Sequence, residues 1–194
     1  MKQKTFSTKK IVMTAMLAAL VAASSALRIT VPADITGTSS FHLGNILCAL
    51  SGILLGPWLG GLAAGLGSAI YDMFNPLYIS ECWMTFLMKG AYGLAAGAIA
   101  WLGRKAWTPK GAIAWVKSIG ATVTGAVVYA ALYLGKSYFY SGLLMKGLTP
   151  DAAMVAMLSK IPATIFNMVV AIVGAPILAF AVATALDKAH LRLD

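Results

Sequence analysis

Long apolar runs, separated by short polar segments, form the main pattern along this chain. A helix needs about 20 predominantly apolar residues, each rising about 1.5 Å, to cross a hydrocarbon core about 30 Å thick. The pattern predicts six such helices, near residues 10–28, 42–55, 57–74, 83–103, 112–138 and 160–187. Because no linker is long enough to separate two folding units, we expect residues 1–194 to form a single all-α membrane domain.

The second and third predicted helices come from one apolar stretch, residues 41–74, which is too long for one span and short for two. Gly56 and Pro57 lie near its middle. Proline removes a backbone donor and disfavours helix in the residue before it. We therefore expect a tight turn at this step, with a re-entrant hairpin as the alternative for the shorter first helix.

The first apolar run also resembles a secretory signal, because a basic segment precedes it and the small residues AASSA lie near its end. From Ile11 to Leu27 the run has 17 residues. That length is long for the apolar region of a signal peptide and close to the minimum for a span. We therefore interpret it as a retained first helix.

Composition supports a membrane location for the whole chain. Hydrophobic residues make up 60% of the sequence and charged residues only 11%, and the mean hydropathy is +0.83. A water-soluble domain of this length would have to expose large apolar patches to carry such a balance. The sequence therefore predicts an integral membrane protein.

The net charge of +9 indicates how the chain is oriented in the membrane and does not indicate nucleic-acid binding. The basic residues are scattered singly between apolar runs, without the stripe or aromatic motif of a nucleic-acid-binding protein. Six spans place nine of them on one side: Lys2, Lys4, Lys9, Lys10, Arg104, Lys105, Lys110, Lys188 and Arg192. The opposite loops carry three, Arg28, Lys136 and Lys146. Since basic loops stay inside, both termini are predicted to be cytoplasmic.

Residues suited to catalysis or metal binding are few. The sequence contains no GxxxxGK[ST], HExxH or GxSxG motif. Its two histidines, His42 and His190, are far apart, and Cys48 and Cys82 match no metal-ligand spacing. We therefore expect no enzymatic activity, no metal and no cofactor, so that uphill transport would need an ion gradient or an ATP-hydrolysing partner.

Polar side chains inside the predicted spans mark a candidate pocket. A charge at the centre of a membrane helix costs roughly 2.5–3.5 kcal/mol on insertion scales, which makes Lys89 notable. It either forms a structural ion pair with Asp72 or faces a wet ligand cavity. The candidate lining comprises Lys89, Tyr133, Lys160 and Asn167, the candidate rim Asp72, Asn75, Glu81 and Trp83, and further candidates are Tyr92 and Lys136. An aromatic belt at the membrane interface is the alternative explanation for the tyrosines.

The first helix carries two stripes of alanine at four-residue spacing. One consists of Ala15, Ala19 and Ala23, and the other of Ala18, Ala22 and Ala26. Helices associate in lipid by close backbone approach, which such small-xxx-small stripes allow. The face is broad enough for one contact with a neighbouring helix of the same chain and one with another protein, and the sequence leaves both interpretations open.

With these features the chain resembles the substrate-binding S components of energy-coupling factor (ECF) transporters, which are bacterial vitamin importers. The resemblance covers nearly the whole chain and is carried by the alanine-rich first helix, LSGILLGPWLGGLAAGLGSAIYDMF, TFLMKG and KIPATIFN. It implies a six-helix bundle in the bacterial plasma membrane that binds a vitamin or precursor from outside. It also implies partners, a transmembrane coupling subunit and two cytoplasmic ATPases, with the alanine face as the docking surface.

The substrate stays open between a riboflavin-, pyridoxine- or hydroxymethylpyrimidine-like ring and an anionic vitamin such as pantothenate. Two other functions are alternatives. An ion-coupled secondary carrier would be expected to show inverted-repeat halves, which the sequence does not display. A membrane assembly protein without transport activity would not need Lys89 and Asn167 inside its spans.

Overall fold

The computed structural model describes residues 7–34, 37–103 and 107–191. Within these ranges the chain is mostly helical. The α-helices are α1 Thr8–Ala26, α2 Gly44–Met73, α3 Cys82–Ala100, α4 Gly111–Gly135, α5 Pro150–Leu158 and α6 Ile161–Lys188. A 3-10 helix covers Ile79–Glu81, and a π-helix, Lys136–Met145, continues α4. Strands β1 Arg28–Asp34 and β2 Gly37–His42 complete the described elements.

Four helical segments of the described chain are long and apolar enough to cross a membrane: Thr8–Ala26, Gly44–Met73, Gly111–Met145 and Pro150–Lys188. Helix α3 falls outside this set, although it packs extensively against α2. Length and composition therefore support a membrane protein with several apolar helices.

Helix α2 is broken at Gly56, whose φ of 80° and ψ of −176° are not helical. A Cβ there would lie 2.9 Å from the ring of Trp101, so the turn needs glycine for both its backbone angle and its space. The two limbs, 44–55 and 57–73, fold back on each other, because Cys48 Sγ lies 3.7 Å from Ser68 Oγ. The turn falls at the step where proline predicts it.

Between α1 and α2, the strands Arg28–Asp34 and Gly37–His42 pair as an antiparallel hairpin, within a chain that is otherwise helical over its described residues, as the sequence predicts. Ile29 pairs with Phe41, and Thr30 pairs with Ser40. β-branched and aromatic residues favour strands, and several occur in this segment. A search for apolar spans overlooks a segment this short and mixed, so the sequence pattern does not predict the hairpin.

Glycines let α2 and α3 approach closely. A Cβ on Gly52 would lie 2.3 Å from the carbonyl oxygen of Gly93, and one on Gly93 would lie 2.6 Å from that of Gly60. Real Cβ contacts are never this short, so the backbones touch directly. In lipid such contact is a main source of helix association. We call this contact the glycine seam.

Helix α1 packs against the second limb of α2 in a similar way, since a Cβ on Gly67 would lie 2.3 Å from the Ala18 carbonyl oxygen. Ala18 is buried and Ala22 is partly buried. The stripe of Ala15, Ala19 and Ala23 is exposed along its length. The two alanine stripes therefore differ: one begins in the bundle interior and the other lies on its surface.

Candidate functional site

A cavity of about 480 Å³ lies at one end of the bundle, where α1, α2 and α4 end and α3 and α6 begin. Its volume is within the range usual for small-molecule sites. The lining is mixed polar and aromatic, and the charged and aromatic members are Arg28, His42, Asp72, Tyr78, Glu81, Lys89, Tyr129, Tyr133, Lys136, Lys146 and Lys160. The Gly56 turn lies at the opposite end of the bundle.

Lys89 is the least exposed charged residue of this lining, with only 5% of its surface exposed. Its Nζ donates a hydrogen bond to Asn45 Oδ1 and lies 3.9 Å from the centre of the Tyr129 ring. No described carboxylate forms a salt bridge with it. Asp72 instead lies 3.9 Å from the guanidinium of Arg28. The direct Asp72–Lys89 ion pair considered from sequence is therefore absent among the described residues.

Arg28 is fixed in place at the start of β1. Its guanidinium carbon lies 4.2 Å from the centre of the Tyr71 ring and 4.9 Å from that of Tyr78. Its Nε donates to the Ser25 carbonyl oxygen at 2.8 Å. Cation–π contacts of this kind contribute roughly 0.5–2 kcal/mol. Arg28 therefore presents a positioned positive charge to the cavity.

Three tyrosines form a stacked column that ends in the cavity. The centres of the Tyr92 and Tyr129 rings are 5.9 Å apart, and those of Tyr129 and Tyr133 are 5.8 Å apart, with interplanar angles of 21° and 18°. Tyr92 is fully buried behind the column, where the absence of a side chain at Gly125 makes room for its ring. Tyr129 and Tyr133 line the cavity, and Tyr133, at the end of the column, can offer an aromatic face to a flat ligand.

Asn167 connects the hairpin to α6. Its Nδ2 donates to the Ser40 carbonyl oxygen at 2.7 Å, and its Oδ1 accepts from the His42 backbone N–H at 3.0 Å. Burial, then the positive charges of Lys89 and Arg28, hold the pKa of His42 well below its usual value. His42 is therefore neutral at pH 7, and its Nδ1 has no hydrogen-bond partner among the described residues.

The sequence of this chain matches a known protein family. Residues 5–184 match the family model described as "ECF-type riboflavin transporter, S component". The chain belongs to this family. It is thus a membrane protein of vitamin uptake through an ECF transporter, in which transmembrane and ATPase subunits are partners of the S component. Proteins of this family are in general transporter components and not enzymes.

This S component also has a relative in Pyrococcus woesei, described as an uncharacterized protein in a gap 3' region. The two are 30% identical over 115 residues, which cover 59% of the S component and 68% of the relative. That description names no ligand or partner, so the match shows that the two sequences are related and assigns no function to the S component.

Seven of the ten ligand-site residues predicted from sequence line the cavity of the S component: Lys89, Tyr133, Lys160, Asn167, Asp72, Glu81 and Lys136. Lys136 also forms a salt bridge with Glu81. They come from six elements, and the fold brings them together because each lies at or beside the end of its element that faces the cavity.

Three predicted ligand-site residues lie outside the lining. Asn75 bonds to the Tyr71 hydroxyl at 3.1 Å and accepts from the Leu77 N–H at 3.0 Å, so it shapes the turn after α2. Trp83 is 53% exposed and meets Tyr140 edge to face. Tyr92 supports the tyrosine column from behind. Helical spacing alone does not tell these positions from lining ones.

The sequence-based set of ligand-site residues omitted several lining residues of the S component, among them Arg28, His42, Tyr78, Tyr129 and Lys146. Those before Gly44 enter the site through the hairpin, which was not predicted. Lys146 follows the π-helix, whose hydrogen bonds run from i to i+5 and change the helical register. Of these omitted residues, Arg28 had the clearest signal in the sequence, because it directly follows an apolar helix.

Proposed function

We propose that this S component binds a flat, ring-containing vitamin or precursor in the cavity and delivers it as the substrate-specific subunit of an ATP-driven ECF importer. The stacked tyrosine column carries this proposal. A planar heteroaromatic ring placed on Tyr133 extends the column by one member at the usual ring spacing. Polar groups around the column then hold the substituents of the ring.

Riboflavin is the first compound to test, because the family description names it and a flat ring fits the column. Pyridoxine, hydroxymethylpyrimidine and pantothenate complete the panel. The cavity of about 480 Å³ leaves room for a ring with a polar chain. Binding by titration calorimetry is expected for at least one ring-containing compound.

Tyr133→Ala tests the stacking contact directly. Removal of one aromatic face is expected to weaken binding roughly three- to ten-fold, which corresponds to 0.5–1.5 kcal/mol. Tyr138→Ala is the matched control, because Tyr138 contacts Phe139 and lies outside the lining. Absence of binding to every vitamin, or equal weakening by both variants, would overturn the proposal.

The exposed stripe of Ala15, Ala19 and Ala23 supports a second part of the proposal, a docking face for the transmembrane coupling subunit. Small side chains leave a smooth helix surface against which another helix can pack closely. Copurification of the S component with this subunit and two ATPases tests the arrangement. An S component that transports without any ATPase would favour an ion-coupled carrier instead.

We also propose six membrane spans with both termini in the cytoplasm of a bacterial plasma membrane. The two limbs of α2 cross in opposite directions, and α3 lies against them. Lys9, Lys10, Lys110 and Lys188 lie at the end away from the cavity, which is the charge bias of a cytoplasmic side. Lys2, Lys4, Arg104, Lys105 and Arg192, which belong to the same bias, lie outside the described residues.

Single cysteines test this orientation. In a Cys48→Ala/Cys82→Ala background, a membrane-impermeant thiol reagent added outside whole cells is expected to label Ser80→Cys and Asp151→Cys but not Lys110→Cys. All three positions are exposed. The reverse labelling pattern would place the cavity on the cytoplasmic side and refute uptake from outside.

A further inference from the structure

The charges around the cavity do not balance. Among the side chains that the structure describes, the lining contains five cations, Arg28, Lys89, Lys136, Lys146 and Lys160, and two carboxylates, Asp72 and Glu81. Each carboxylate already has a cation beside it, since Arg28 meets Asp72 and Lys136 meets Glu81. The lining as a whole is therefore positive.

Lys89 is the least exposed of these cations. Its two described partners, the Asn45 amide and the Tyr129 ring, are neutral. Buried charges normally meet an opposite charge, because an uncompensated ion in a low-dielectric environment is costly. The neutral partners hold the ammonium group in position and leave its charge without a described carboxylate in contact.

Lys160 adds positive potential at the start of α6. It is 6% exposed and forms the N-cap of α6, whose first turn contains no acidic residue. The N-terminus of a helix has a partial positive charge of its own, so a lysine there is the reverse of the stabilising arrangement. Lys160 and Thr164 of this first turn both line the cavity. An anion in the cavity would gain from the lysine and the helix together.

We infer that the substrate of this S component carries an oxyanion, a carboxylate or a phosphate, which binds between Lys89 and Lys160. This rests on the proposed solute-binding role of the cavity and narrows it from a flat vitamin to an acidic or phosphorylated one. A neutral ring would satisfy the tyrosine column and leave Lys89 without an oppositely charged group in contact among the described residues. Charge-assisted hydrogen bonds to an oxyanion are the stronger of the available contacts.

Matched pairs of compounds test the inference on the purified full-length protein. Calorimetry compares riboflavin with riboflavin 5′-phosphate, and pyridoxine with 4-pyridoxate, which separates the phosphate from the carboxylate. The anionic member of at least one pair is expected to bind roughly ten- to hundred-fold more tightly. Equal or tighter binding of the neutral member in every pair that binds would overturn the inference while leaving the proposed function intact.

Two variants test whether the lysines cause the preference. Lys89→Gln and Lys160→Gln are each expected to reduce it to less than about three-fold, as the loss of one charge-assisted contact predicts. Lys160→Gln keeps the test valid if Lys89→Gln misfolds. Lys117→Gln is the matched control, because Lys117 bonds to the Leu102 carbonyl near the far end of α4. A preference that survives both substitutions would refute the site.

Inorganic phosphate provides a test that does not depend on any vitamin. Sodium phosphate is expected to raise the thermal unfolding temperature of the protein more than sodium chloride does at the same ionic strength, and the excess should disappear in a Lys89→Gln/Lys160→Gln variant. If no vitamin binds, the proposed function fails, and this comparison alone decides the inference. Equal shifts in the protein and the double variant would then overturn it.

Discussion

The glycine seam and the cavity are two regions of one bundle with opposite construction. At the seam, α2 and α3 touch through their backbones, and no side chain could be added without a contact under 3.0 Å at Gly52, Gly60, Gly93 or Gly97. At the cavity, the end of α4 and the start of α6 contribute polar and aromatic side chains to the lining. One region excludes side chains, and the other is made from them.

We therefore expect the seam to determine mainly the stability of the molecule and the cavity to determine mainly its ligand specificity. Packing at the seam depends on the absence of atoms, so even one methyl group should be costly there. The cavity depends on particular polar groups, so substitutions there should change ligand affinity more than folding. Substitutions matched between the regions can test that division.

The largest effect is expected from a larger residue in the seam. A Cβ on Gly93 would lie 2.6 Å from the Gly60 carbonyl oxygen, so Gly93→Leu should prevent folding, and Gly93→Ala should cost about 1–3 kcal/mol. Gly120→Ala and Gly120→Leu are the controls, because the nearest atom to a Cβ there is 3.9 Å away. Denaturation in detergent measures the stability of the variants at both positions. Equal losses of stability at Gly93 and Gly120 would show that the seam is no more sensitive than the surface.

Ala19→Trp tests whether the small-residue construction also serves an external contact. Since Ala19 is exposed, the variant should fold and bind ligand normally, yet lose complex formation and uptake because the indole blocks close helix approach. Val116→Trp, on an exposed position of α4, should retain both activities. Normal assembly and uptake by Ala19→Trp would exclude the stripe as the docking face.

A moderate effect is expected at the junction of cavity and hairpin. Asn167→Leu removes two hydrogen bonds to the hairpin, so ligand affinity should fall roughly ten- to hundred-fold. Thr122→Val removes a buried hydroxyl bonded to Ser118 within α4, away from the lining, and should leave affinity unchanged. Calorimetry with the best-binding vitamin gives both values, and equal losses would mean that Asn167 acts through general stability.

The smallest effect is expected from protonation of His42. Because its pKa in the folded protein is lowered, the unfolded chain binds more protons below about pH 6.5, and stability should fall as the pH drops below that value. The slope from one group is at most about 1.4 kcal/mol per pH unit. Thermal unfolding between pH 8 and 5.5 measures it, and the slope should disappear in His42→Gln. A slope unchanged by the substitution would assign it to other groups.

Much of the helical framework could be predicted from sequence because its determinants are local. Long apolar runs indicate helices. Pro57 has no backbone N–H to donate to the preceding turn, and α2 is broken at the residue before it. The stretch LSGILLGPWLGG, with glycines four residues apart, contributed to the family resemblance. The physical reason for these glycines is the backbone contact with Gly93 and Gly97, which depends on the position of α3 beside α2.

The cavity was predictable in part. Lys89 and Asn167 were identified because polar groups in apolar helices are unusual, whichever neighbours they have. Arg28 and His42 could not be assigned in this way, because their place in the lining depends on a hairpin and on contacts with residues distant in sequence. The partner of Asp72 likewise proved to be Arg28 and not Lys89. Pairing between elements is a tertiary property that helical spacing does not encode.

The distribution of tryptophan has a spectroscopic consequence. The described lining of the cavity contains none of the five tryptophans. Trp83 lies at the cavity end of α3, in contact with Tyr140, whereas Trp101 lies 18 residues further along, or about 27 Å away at about 1.5 Å per residue. Trp58, Trp107 and Trp115 also lie toward the far end. Resonance transfer to a bound chromophore falls steeply with distance, so ligand-dependent quenching should report chiefly from Trp83, against a nearly constant background emission.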